Sequence, residues 1–188
     1  TRRRPKRTKL YFSIQCDQAP TESLYWAGND VAPLDGNTHN CGLALGYDVQ
    51  AGDVLQFRVG ISYCGIDYAR DNIAQECNHW DFDVVRQDAR QDWNEMLSRI
   101  KVEGGTEAQT IKFYTDLFHA LKGRRRVSDA GGTYLDMTGD TPQIHQIPLD
   151  ADGKPHYEHH NSDAFWGAAW TLNTLWSLAW ARIPHNSC

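Results

Sequence analysis

The chain has 188 residues, is 40% hydrophobic and 23% charged, and carries a net charge of −5. That length buries a core without help from disulfides, and the composition excludes collagen, coiled coil and wholesale disorder. The first nine residues hold Arg2, Arg3, Arg4, Lys6, Arg7 and Lys9, a local charge of +6, so the remainder carries −11; an acidic body of that kind argues against a phosphate-backbone partner.

Residues 8–65 read as β. Lys9 to Gln15 alternates Leu10, Phe12 and Ile14, which predicts a strand. Asn40 to Asp48 is a second strand and Asp53 to Tyr63 a third, with Ala51-Gly52-Asp53 as the turn before it. The Gly28-Asn29-Asp30 and Asp35-Gly36-Asn37 stretches predict hairpin turns or a long loop. Antiparallel strands joined by short turns imply a sandwich.

After Gly65 the pattern becomes helical. Residues 66–77 form one helix, and residues 82–99 a clearer one with Asp81 as N-cap and Phe82, Val85, Ala89, Trp93 and Met96 on one face. Ile100 to Glu103 is short and extended, and Gly104-Gly105 breaks the chain. Thr106 and Gln109 make a capping box that opens a helix carrying Ile111, Tyr114, Leu117, Phe118 and Leu121 on one side. Residues 123–160 read as a long loop, rich in glycine and proline.

The last predicted helix starts at Ser162 or Asp163, and Ala164 to Ala181 runs 18 residues without a charge. That reaches the length of a membrane span, but a helix deep in a soluble multi-helix domain looks the same, and Gly167, Thr171, Asn173, Thr174 and Ser177 interrupt it. A membrane role is not expected. Trp166, Trp170, Asn173, Trp176 and Trp180 fall on one helical face. Such a stripe is either core or an aromatic wall for a sugar ring, because the apolar faces of sugars pack on indoles. Asp163 opens this helix, either as a cap or as a carboxylate for hydroxyl groups. Cys16, Cys41, Cys64, Cys77 and Cys188 form no CxxC pair, so neither a zinc site nor a disulfide framework is expected. No phosphate-binding glycine loop and no GxSxG motif occurs.

Several stretches together resemble glycoside hydrolase family 92, the calcium-dependent exo-acting α-mannosidases. They are Val59 to Tyr63, Trp80 to Arg86, Trp93 to Gly104, Phe113 to His119, Ser128-Asp129 with Gly132 and Tyr134, and Asn161 to Gly167. The resemblance implies an α+β chain: residues 1–65 as part of an N-terminal antiparallel β-sandwich, 66–101 as a helical linker, and 102–188 as the first helices of a truncated (α/α)6 toroid. It implies release of terminal α-linked mannose, α-1,2 above all, from a glycan with inversion. It also implies a periplasmic or secreted setting. The rival reading is a carbohydrate-binding β-sandwich module without hydrolysis.

Where many members read Trp-Asp-Thr-aromatic-Arg, this chain has Ser162-Asp163-Ala164-Phe165-Trp166. The resemblance makes Asp163 a mannose-binding residue, with Trp166 beside it where the family has arginine. The catalytic carboxylates and most calcium ligands are expected downstream of these residues, and no metal ligand is assigned within the chain.

Overall fold

The computed structural model describes residues 9–28, 30–31, 41–122, 125–161 and 165–180. Two compact units emerge, Ile14–Val59 in one and Thr1–Ser13 with Gly60–Cys188 in the other.

The smaller unit is β. Strands β1 (Tyr11–Cys16) and β5 (Phe57–Ser62) make a two-stranded sheet. Each of the two runs on into the larger unit, which holds Tyr11–Ser13 and Gly60–Ser62. Strands β2 (Glu22–Ala27), β3 (Asp30–Val31) and β4 (Cys41–Gly46) make a second sheet in the order β3-β2-β4. Both of its pairings are antiparallel, with Glu22 opposite Gly46 and Trp26 opposite both Gly42 and Val31. Gly28, at φ 63, turns β2 into β3, which satisfies the turn expected there. The three strands expected in this region are present; β2 and β3 are additional, inside the stretch read as turns or loop. The alternation in β1 and β5 is also present, but Phe12, Ile14, Phe57, Val59 and Ile61 all lie on exposed positions. The small and polar positions Gly60 and Ser62 are the buried ones.

In the larger unit, α1 (Ile66–Glu76) buries Ala69, Asn72 and Ile73. Gly60 is where this helix meets the sheet: a Cβ there would collide with the Ala69 carbonyl oxygen and lie 2.8 Å from Ile73 Cγ1. Helix α2 (Phe82–Leu97) starts at Asp81, whose Oδ1 accepts from the N–H groups of Asp83 at 3.0 Å and Val84 at 3.1 Å. Helix α3 (Glu107–Lys122) has the expected capping box: Thr106 N–H donates to Gln109 Oε1 at 2.8 Å, and Gln109 N–H to Thr106 Oγ1 at 3.4 Å.

The core forms where α2 and α3 meet α5 (Leu172–Ala179). Leu117, Leu121, Trp176 and Trp180 are its buried centre. Trp93, Met96, Leu97 and Phe113 pack around them. Only the C-terminal half of α2 takes part, since Phe82, Val85 and Ala89 at its other end are exposed.

Two regions depart from the sequence expectation. Residues 123–160 contain a hairpin of β6 (Thr133–Asp136) and β7 (Gln143–Gln146), antiparallel with Thr133 opposite Gln146. The single tryptophan-rich helix is instead two, α4 (Phe165–Ala168) and α5, separated by a turn that ends at Thr171 with φ −142 and ψ −44. Gly167 and β-branched Thr171 are weak helix formers, and the packing of Trp176 and Trp180 fixes only the second piece.

Gly60→Ala is expected to lower stability by about 1–3 kcal/mol, because the added methyl must push the Ala69 backbone away. Urea unfolding of the two proteins checks it, with an unchanged midpoint as the contrary result.

Candidate functional site

Of the two residues expected to hold a sugar, Asp163 lies outside the described residues. Trp166 sits in α4 with 86% of its surface exposed. Trp170, in the following turn, is 80% exposed, whereas Trp176 and Trp180 are buried. The stripe therefore divides: its second half is core and its first half is bare aromatic surface.

The chain approaches this corner along a narrow ladder between residues 125–128 and 158–161. Val127 N–H donates to the His159 carbonyl at 2.8 Å, and Asn161 N–H to the Arg125 carbonyl at 3.0 Å. Arg125 N–H donates to Asn161 Oδ1 at 2.9 Å, and His159 N–H to Ser128 Oγ at 3.2 Å. Arg126 adds ion pairs to Glu76 and to Glu158.

Next to the ladder is a buried polar cluster. Asp129 is 7% exposed, and its two oxygens accept from different elements. Ser62 Oγ, in the last residue of β5, donates to Oδ2 at 2.9 Å, and Asn72 Nδ2, on α1, donates to Oδ1 at 2.9 Å. Asn72 also donates to the Ile61 carbonyl at 2.8 Å and accepts from Ala130 N–H at 2.8 Å. Ser62 Oγ in turn accepts from Cys64 N–H at 2.9 Å. The Cys64 thiol is pushed up to about 12, first by burial and then by the charge of Asp129; it is an inert thiol, not a nucleophile. The turn after Asp129 requires Gly132, which has φ 85 and whose Cβ would lie 2.8 Å from Pro155 Cγ.

The β6–β7 hairpin lays aromatic rings beside the ladder. Tyr134 stacks on His159 with centroids 4.4 Å apart and lies 5.7 Å from His145. Asp136 Oδ2 is 3.6 Å from His145 Nε2, and the Thr138 N–H holds the Asp136 carboxyl below its usual range. His159 is shifted down, first by burial and then by neighbouring His160, with Asp136 pulling the other way.

The sequence reading placed Asp129 and Tyr134 only within the family resemblance and passed over Ser62 and Asn72 as separate partners. Asn72 carried a signal: a polar residue on the same helical face as Ala69 and Ile73 must find a buried partner. Among the described residues, no group of three or more His, Cys, Asp or Glu is placed to hold a metal ion. No helix among them is long and apolar enough to cross a membrane. The open groove along α2, lined by Gln87, Arg90, Gln91, Asn94, Glu95 and Ser98, contains none of the residues above.

Residues 68–184, more than half of the chain, match the family model described as the glycosyl hydrolase family 92 catalytic domain. A search of curated proteins finds no match. Among solved structures, the chain is similar to a family 92 inverting mannosidase from Bacteroides thetaiotaomicron, with TM-score 0.73 and 22% identity over 93% of this chain and 23% of the other. It is similar to a family 92 glycosyl hydrolase named ccman5, with TM-score 0.74 and 20% identity over 93% and 23%. It is also similar to a family 92 α-mannosidase from Bacteroides thetaiotaomicron in complex with mannoimidazole, with TM-score 0.71 and 15% identity over 89% and 22%. The chain thus spans under a quarter of the length of these structures.

The lowered His159 sets a direction for acid stability. Its folded value lies below the ordinary 6.5, so as pH falls through 6.5 the unfolded chain takes the proton first. Stability then drops until pH passes the folded value. His159→Phe keeps a ring on Tyr134 and removes this proton. Its melting temperature is expected to fall less than the wild type's between about pH 7.5 and about pH 5.5. Equal falls would mean that His159 contributes nothing to the acid limb.

Proposed function

Because the chain belongs to glycosyl hydrolase family 92, we propose that it is part of a longer glycosidase that releases terminal α-linked mannose, α-1,2-linked above all, from glycans with inversion. The match to the catalytic-domain model over residues 68–184 is the observation that carries this reading. It also disfavours a binding module without hydrolysis. Inverting hydrolysis needs one carboxylic acid and one carboxylate base spaced to admit a water. We assign those two groups, and most of the calcium ligands, to polypeptide beyond these 188 residues. Among the described residues no group of three or more His, Cys, Asp or Glu is placed to hold an ion, and the chemistry assigned to this chain does not pass through calcium.

The assigned domain plan is a β-sandwich portion over 1–65, a helical linker over 66–101 and the start of an (α/α)6 domain over 102–188. The bare apolar faces support it. A sheet with Phe12, Ile14, Val59 and Ile61 exposed on it suits a second sheet packed over that face. Phe82, Trp166 and Leu178, all more than two-thirds exposed, suit further helices or a ligand.

Within the chain, the substrate role falls to Asp163 and Trp166. The carboxylate accepts hydrogen bonds from two mannose hydroxyls, and the indole packs against an apolar sugar face.

Two outcomes test the reading. The 188 residues alone release no mannose from α-1,2-mannobiose above a buffer blank; release would place the acid and the base within this chain. In the longer protein, Asp163→Asn lowers kcat/KM by about 10- to 200-fold, since a charge-assisted bond weakens to a neutral one. A residue that only caps the helix tolerates asparagine, so near-wild-type kcat/KM in Asp163→Asn would remove Asp163 from the sugar site.

A further inference from the structure

We draw no further inference here: the strongest candidate, the bare aromatic patch formed by Trp166 on α4 and Trp170 in the turn before α5, carries nothing because nothing in the structure shows what covers it.

Discussion

A buried carboxylate organises the larger unit. Asp129 is 7% exposed, and a buried carboxylate needs hydrogen bonds in place of the water it has lost; hydrogen bonds to a charged group contribute about 1.5–3 kcal/mol each. Ser62 and Asn72 supply that replacement, and in doing so they bind a strand end, a helix and a turn to one point. Asn72 spends all of its polar capacity here: both of its hydrogens and its oxygen are engaged, with Ile61, Asp129 and Ala130. Removing any one partner leaves another buried and unpaired, so these residues stand or fall as a set. Gly60 follows from the same demand. The helix that carries Asn72 reaches the strand that carries Ser62 only because no side chain separates them at Gly60.

The second anchor is apolar. Trp176 on α5 and Trp180 just past its end close over Leu117 and Leu121 of α3, while the Trp93 ring of α2 lies 4.5 Å from that of Phe118. This cluster holds the C-terminal halves of α2 and α3 together and leaves the outer half of α2 bare. The two anchors differ in kind. The polar one fixes position through directional bonds, and the apolar one contributes stability through area removed from water.

Elements with local signals were legible in the sequence. Asp81 and the Thr106–Gln109 pair determine where α2 and α3 begin, since capping needs only residues three apart, and the structure shows both caps bonded. The core positions Leu117 and Leu121 were legible from helical spacing for the same reason. The β6–β7 hairpin was not. Gln143–Gln146 is exposed throughout, so it has no apolar alternation to betray a strand. Its pairing depends on the turn at Gly132 and on Ile147, which donates to the Gly132 carbonyl at 2.9 Å. Alternation in β1 and β5 gave the strands but not the face, because period two marks two faces and says nothing of which one is covered. The Ser62–Asn72–Asp129 cluster joins residues 57 and 67 positions apart in the chain, a separation across which no spacing rule operates.

The tryptophan stripe shows how one periodic signal serves two ends. Helical spacing places Trp166, Trp170, Trp176 and Trp180 on one line, and a straight helix would bury or expose them together. The break at Thr171 separates them. Trp176 and Trp180 enter the core, and Trp166 and Trp170 stay outside it. An indole offers far more apolar area than solubility favours at 80–86% exposure, so these two rings suit a partner that this chain does not itself provide. They also lie between fixed points, Asn161 bonded to Arg125 on one side and Leu172 packed on the core on the other. At Trp166 the substitution for the arginine of related sequences exchanges a five-donor cation for a ring face with a single N–H. On the proposed sugar-binding reading, such a position would grip a saccharide by shape and stacking rather than by a fork of hydrogen bonds. On that reading, discrimination between neighbouring hydroxyl configurations would fall more heavily on the carboxylate of Asp163, because a charged acceptor bonds hydroxyls directionally and a ring face does not.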